Sequence, residues 1–414
     1  MQFVADFHLH SKYSRATSKD MDLESLDKWA KIKGIKVLGT GDFTHFDWIK
    51  NLKEKLEPAE PGLFKLKGGS EIRFVLTAEI SCIYSKNGRV RKIHIIIFAP
   101  SFEVVEKINA HLGWIGNLKS DGRPILGLDA KELAKIVLSI SENCLIVPSH
   151  AWTPWFSVFG SRSGFNSLEE CFEDYSKYIY AIETGLSSSP DMNWRISALD
   201  KIALISNSDS HSCPHLGREA NVFDTEISYP AITNAIKLKD PQKFLYTIEF
   251  YPEEGKYHYD GHRSCGISLS PAESKKYNNI CPNCGRPLTI GVLNRVDQLA
   301  DRPEGFKPNN AIPFKSLVPL SEIIADALGV ATGTKQVEEE YKHLIKNFSN
   351  EFKILLEVPR SELETITLPE IAEGIARVRE GKVDIEPGYD GVYGKIRIFS
   401  KGEPKTLSKQ GTLF

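Results

Sequence analysis

No apolar run in this 414-residue sequence approaches the roughly 18 residues that a membrane-spanning helix needs. The opening MQFVADFHLH has neither the basic segment nor the long apolar segment of a secretory leader, so a cytoplasmic protein is expected. An excess of one charge is also missing. Lys and Arg number 52 against 54 Asp and Glu, a formal net charge of −2. Any nucleic-acid binding must then come from local basic patches and not from a global field. Seven cysteines, an odd number spread along a long chain, do not make a disulfide framework. With 41% hydrophobic and 26% charged residues the chain is neither disordered nor fibrous, and its length suits two or three domains.

To about residue 245, short apolar runs alternate with amphipathic segments, the pattern of repeated strand and helix units. Strands are expected near 3–6, 35–40, 72–80, 90–98, 144–148, 179–183, 203–207 and 220–223. Helix signals fall at 22–34, with Asp22 as N-cap and Gly34 as stop, and around 101–115, 129–140 and 230–238. Asn87-Gly88 signals a hairpin between the third and fourth strands. The count suggests a closed or nearly closed β/α barrel. From 246 to 310 the texture turns to Tyr, Pro, Gly and Cys, a small loop-rich domain. From 311 to 400 helical spacing returns, and 401–414 is a polar tail.

Chemistry-bearing residues collect at the ends of the expected strands. His8 and His10 follow the first, where period-two alternation puts both imidazoles on one side. Asp42 and His45, Glu79, His150, Glu183, and Asp209 with His211 occupy the same place after other strands, and His94 lies within its own. In a β/α barrel these ends share one rim, where active sites are built. His and carboxylate donors without cysteine point to a multinuclear Zn, Mn or Fe site, suited to hydrolysing phosphate esters with metal-activated water. Asp6 and Glu183 are read as orienting the histidines or packing the barrel.

On these residues the first 225 or so positions resemble a polymerase-and-histidinol-phosphatase (PHP) domain. The resemblance implies a distorted β/α barrel of seven units with three metals. His8, His10, Glu79, His94, His150, Asp209 and His211 match its motifs in order, and Asp42 or His45 falls in the second. The pattern departs at two points. SKYSRAT supplies no Asp or His after the HxH pair, and TGDFTH stands where TDH is usual, which implies that one metal position is altered or weakly filled.

His262 and Cys265 followed by Cys281 and Cys284 have the spacing of a structural zinc site, with His258 a rival for the histidine ligand. The other cysteines sit singly and read as buried small hydrophobes. In this region the basic residues Lys256, Arg263, Lys275, Lys276, Arg286, Arg295, Arg302 and Lys307 outnumber the acidic ones, a candidate phosphate-contacting face. Trp152, Trp155, Phe156 and Asn166, close after His150, offer aromatic walls and a polar group for a flipped base, with simple packing an equal reading for each aromatic. GVATGTK lacks both the spacing and the preceding strand of a P-loop.

The barrel, then YHYDGHRSCGISLSPAES, then CPNCGRPLTIGVLNRVDQLADRPEGF and a helical region resemble the endonuclease Q family over essentially the whole chain. That resemblance implies a DNA repair enzyme that nicks double-stranded or single-stranded DNA 5′ to uracil, hypoxanthine, xanthine or an abasic site, leaving 3′-hydroxyl and 5′-phosphate ends. It implies Zn2+ in the structural site and barrel cluster, with Mg2+ or Mn2+ as alternatives at the latter. Lys409 to Phe414 resembles the start of a peptide that docks on a PCNA-like sliding clamp, without its downstream aromatics. The competing reading is a small-molecule phosphoesterase of the histidinol-phosphatase kind, which has no use for a zinc module or a basic face. A third, a non-catalytic scaffold, would require a decayed metal set.

Overall fold

The computed structural model describes residues 1–400. The clamp-peptide motif at Lys409 to Phe414 lies outside the described residues. Seven strands form a ring: Gln2–Asp6, Ile35–Gly39, Arg73–Lys86, Arg89–Ala99, Leu145–Pro148, Ala181–Glu183 and Ala203–Ile205. The first three run parallel, the Arg73–Lys86 and Arg89–Ala99 strands form a long antiparallel hairpin, and Leu145–Pro148 continues antiparallel. Asn87 and Gly88, both at positive φ (53° and 70°), turn that hairpin as their residue types require. The last two strands pair in parallel with each other. The ring is therefore a mixed, distorted barrel and not an all-parallel one.

Among the described residues only the Leu9–Ser210 bridge, with His10 N donating to Ser210 O at 2.9 Å, pairs the backbone between the seventh strand's end and the first, and a side chain closes the rest of that seam. Asn221, from the outer strand Ala220–Asp224, accepts from Ser206 N at 3.0 Å and donates to Ser206 O at 2.6 Å and Ala5 O at 3.4 Å. Its amide thus takes the two backbone groups that a neighbouring strand would have paired. Inside the ring, Phe7, Val37, Val75, Ile96, Phe98, Val147, Ala181, Ala203 and Ile205 form one buried cluster, close to one residue or two per strand. A larger cluster lies between strands and helices.

The helices follow their local signals. Leu23–Lys33 starts at Asp22, whose side chain accepts from Ser25 N, and stops at Gly34 with φ 89°, a left-handed conformation that side chains resist. Phe46–Lys55 was not signalled by spacing, and its N-cap His45 makes no capping bond. Beyond the barrel come a short hairpin, Asp260–His262 with Ile267–Leu269, and the helices Pro271–Lys276 and Val292–Leu299. Five helices then span Leu320–Leu328, Lys335–Phe348, Glu351–Leu356, Arg360–Ile366 and Pro369–Arg379. The helical region does not stand apart: its leading strand, Phe314–Ser316, pairs in parallel with Phe244–Glu249 and extends the barrel's own sheet. A buried ion pair, Lys33 to Glu351 at 2.6 Å, joins the first barrel helix to it. Among the described residues no helix is long and apolar enough to cross a membrane.

Asn221→Ala should lower unfolding free energy by about 2–4 kcal/mol, because two buried backbone groups of Ser206 lose their partner; equilibrium denaturation of the two proteins measures it.

Candidate active site

The barrel rim brings six donors together. His8 and His10 follow the first strand, and Glu79 and His94 sit diagonally across the long hairpin, where Ser81 faces His94 and Glu79 faces Ile96. His150 and Asp209 follow the strands at 145–148 and 203–205. Two groups result: His8, His10 and Asp209, and Glu79, His94 and His150, each with donor atoms within 4.8 Å of one another. Glu79 connects them. Its Oε1 lies 3.6 Å from His8 Nε2, 3.1 Å from His94 Nδ1 and 3.2 Å from His150 Nε2, and its Oε2 lies 3.4 Å from His10 Nε2.

The arrangement has what a cation would need. His8 Nε2, His10 Nε2, Glu79 Oε1 and Asp209 Oδ1 are buried without a hydrogen-bond partner, although each faces another of the set. Such atoms are costly unless something else satisfies them. Burial pushes Glu79 and Asp209 up, yet the surrounding imidazoles outweigh it and hold both well below the carboxylate range. Burial opposes charge on His8 and His10, but Glu183, Glu79, Asp42 and Asp209 raise both well above the ordinary histidine value. His94, where burial dominates, falls to about 4. The carboxylates thus attract positive charge into a water-poor rim.

A second layer orients the histidines. Glu183 Oε1 meets His8 Nδ1 at 3.0 Å and accepts from Asn207 at 2.9 Å, and its Oε2 accepts the His150 backbone N–H at 2.8 Å. This is the orienting role expected for Glu183. Asp6 turns out to serve the backbone, accepting from Ser208 N at 3.1 Å and Gly217 N at 2.9 Å, and burial lifts its carboxyl to about 6.

Three expected ligands are placed differently. Both oxygens of Asp42 are occupied, one at 3.1 Å from His10 Nδ1, the other accepting from Ser11 N at 2.6 Å, Ser11 Oγ at 2.7 Å and Ser14 Oγ at 2.9 Å. Asp42 therefore steers His10 and joins neither donor group. His45 stacks on Tyr13, with ring centres 4.6 Å apart, and also joins neither. His211 stands at the rim, its ring 4.6 Å from that of His10 and its Nδ1 2.9 Å from Asp209 O. Among the described residues the barrel rim holds these two donor groups. Asp42, His150 and Asp209 have φ of 49°, 28° and 46°, a strained region for such residues that spacing in the sequence does not reveal.

A cavity of about 440 Å³ opens beside the second donor group. His94, His150 and Asp209 form its floor, and Trp155, Phe156, Lys256, Tyr257 and His258 line it further out. Trp155 meets Tyr257 edge-on at 5.7 Å, and Phe156 lies 4.7 Å from His94. The other two base-pocket candidates are elsewhere. Trp152 is wholly buried, donates to Asn193 Oδ1 at 2.7 Å and packs on Phe159. Asn166 accepts from Arg295 at 2.9 Å and its backbone N–H donates to Glu170, so it ties the loop down and does not face the cavity. His258, the rival zinc ligand, belongs to this cavity, and burial pushes it down to about 4. Lys256 and Tyr257 were not anticipated as cavity residues, since they stand a hundred positions from Trp155 in sequence.

Away from the barrel, His262, Cys265, Cys281 and Cys284 form a third group of donors within 4.8 Å. Two tight turns deliver them, with Gly285 N bonded back to Cys281 O at 2.9 Å and Gly266 turning the hairpin at φ 64°. Burial raises the Cys281 thiol, but the N–H groups of Asn283 and Cys284 outweigh it and bring it to about 7. The basic face counted in the sequence is smaller than expected. Arg295 donates to Phe159 O and Phe165 O at 3.0 Å each, Arg302 forms a fork on Asp200 at 2.7 and 2.6 Å, and Lys275 is paired with Asp297. Arg295 and Arg302 fasten the module to the barrel, while the Lys275 pair lies within the module.

The fold and donor set define a metal-dependent hydrolase on a PHP-type barrel. The lesion-specific endonuclease of Pyrococcus furiosus superposes with a TM-score of 0.86 at 31% identity, over 96% of this chain and 95% of that one. Endonuclease Q in complex with a 27-mer duplex carrying an abasic lesion at its active site gives 0.85 at 32%, over 97% and 98%. The chain belongs to the endonuclease Q family of metal-dependent DNA endonucleases. Residues 319–382 match the family model described as the MJ0043 C-terminal domain. An uncharacterized protein of Methanocaldococcus jannaschii, MJ0043, is 36% identical over 259 residues, 60% of this chain but only 31% of that protein's length. The uncharacterized Bacillus subtilis protein YqxK is 27% identical over 96% of this chain and 99% of its own.

Removing the Asp42 carboxylate should loosen His10. Asp42→Ala is expected to weaken divalent-metal binding at the barrel by about 10–100-fold, read by competition with a chelator of known affinity.

Proposed function

We propose that this chain nicks DNA on the 5′ side of deaminated bases and abasic sites, leaving 3′-hydroxyl and 5′-phosphate ends. The observation that carries the reading is the aromatic-walled cavity that His94, His150 and Asp209, drawn from both donor groups, help to line. A base turned out of the helix into it lies against Trp155, Phe156 and Tyr257, and its 5′ phosphate then falls at the rim. The endonuclease Q complex with an abasic duplex supports DNA as the substrate.

In this reading His8, His10 and Asp209 hold one divalent cation and Glu79, His94 and His150 the other, as Zn2+, Mn2+ or Mg2+. Such a pair supplies Lewis acidity and lowers the pKa of a coordinated water. Glu183 and Asp42 keep His8 and His10 aimed. His211 stands at the rim outside both groups, its Nδ1 2.9 Å from Asp209 O. His262, Cys265, Cys281 and Cys284 take a structural Zn2+ through three sulfurs and one imidazole.

End-labelled duplexes with one deoxyuridine or deoxyinosine should be cut once, immediately 5′ of the lesion, and chelator should stop the reaction. His8→Ala and Asp209→Ala should each lose nicking at least about 10³-fold while binding DNA nearly as wild type. Uncut lesion duplexes beside rapid hydrolysis of a small phosphomonoester would favour the histidinol-phosphatase reading instead.

A further inference from the structure

Arg123 lies at the rim and belongs to none of the donor groups. Its Nη1 donates to Glu79 Oε2 at 3.1 Å, and its side chain is 28% exposed. Among the described residues its Nε and Nη2 make no hydrogen bond, and neither is a buried orphan, so both keep some contact with solvent.

The segment that carries it is pinned on every side. Asp121 Oδ1 accepts from the backbone N–H of Arg123 at 3.2 Å and of Arg15 at 3.3 Å. Gly122 N donates to Tyr13 O at 3.1 Å, and Gly122 O accepts from Thr44 at 3.2 Å. A Cβ on Gly122 would stand 2.2 Å from Asp42 Oδ2, so only glycine lets this turn approach the site. Pro124 O accepts from Ser81 N at 3.0 Å, and Ile125–Leu126 pairs with Ser81 and Cys82, two residues beyond Glu79. Such fixing costs conformational entropy and is more than one charge pair with Glu79 needs.

Resting on the DNA-nicking reading above, we infer that Arg123 contacts a non-bridging oxygen of the scissile phosphate with its free N–H groups. It serves as a fixed cation beside Glu79. Negative charge grows on that oxygen as water adds to phosphorus, and a preorganised planar donor stabilises it without reorganisation. No proton or electron leaves the arginine.

Arg123→Ala should lower the single-turnover nicking rate about 10²–10³-fold with metal content unchanged. Arg123→Lys should stay within about tenfold of it, since an ammonium cannot reproduce the fork. Millimolar guanidinium should restore Arg123→Ala at least about tenfold and leave His8→Ala inactive. In metal-free protein the slope of log DNA affinity against log salt should fall by about one phosphate contact. Wild-type nicking with an Arg123→Ala rate within threefold of it, or loss of bound metal from that variant, would overturn the inference. If the wild-type protein does not nick, the functional reading fails, and an unchanged salt slope in metal-free protein overturns the role of Arg123 independently.

Discussion

One buried carboxylate sets the terms for the site. Glu79 is shielded from water and reaches all four inner histidines within 3.6 Å, and Arg123 within 3.1 Å. An isolated carboxylate at such a place would cost several kcal/mol, so positive partners must converge on it from several strands at once. The hairpin supplies His94, the first strand His8 and His10, the fifth His150, and the turn before Ile125–Leu126 supplies Arg123. Strain is tolerated on the same account. Left-handed backbone at Asp42, His150 and Asp209 costs about 1–3 kcal/mol each and persists because Glu183, Ser11 and the Asn221 seam over-determine the surroundings.

The appended modules work through the same rim. Arg295 binds carbonyls of the loop that carries Trp155 and Phe156, so the thiol-rich module sets the outer wall of the cavity as well as holding a donor group of its own. Residues 252–258 complete that wall. Arg195 with Asp297 at 2.6 Å and Arg302 with Asp200 fix the relative placement of barrel and module. Arg295 and Arg302, read as part of a DNA face, are thus fasteners, and the cationic group proposed to meet a phosphate is Arg123 at the barrel rim.

Much of this was legible in the sequence. His8 and His150 could be placed because apolar runs stop just before them, whereas Glu79, expected at a strand end, lies mid-strand in a run that continues to Lys86; Asp22 and Gly34 bracket their helix by cap chemistry alone. The four-donor module followed from the spacing of His262, Cys265, Cys281 and Cys284. What escaped depends on distance in space. A carboxylate that ligates and one that steers a ligand look alike in sequence, so Asp42 and His45 could not be told from donors. Trp152 and Trp155 lie three residues apart in turns without periodicity, and only the fold turns one inward and one to the cavity. Arg123 sits in DGRP, a plain turn signal whose Gly is explained by Asp42 far away in the chain.

Glu79 faces histidines of both donor groups, so in the proposed function it would serve the cations held by each. Counting bound divalent ions in equilibrium titrations of wild type and Glu79→Gln tests it most directly. The account predicts that the variant loses affinity at both barrel sites together while the His262, Cys265, Cys281 and Cys284 site keeps its ion. One barrel site filled at wild-type affinity in that variant would contradict it.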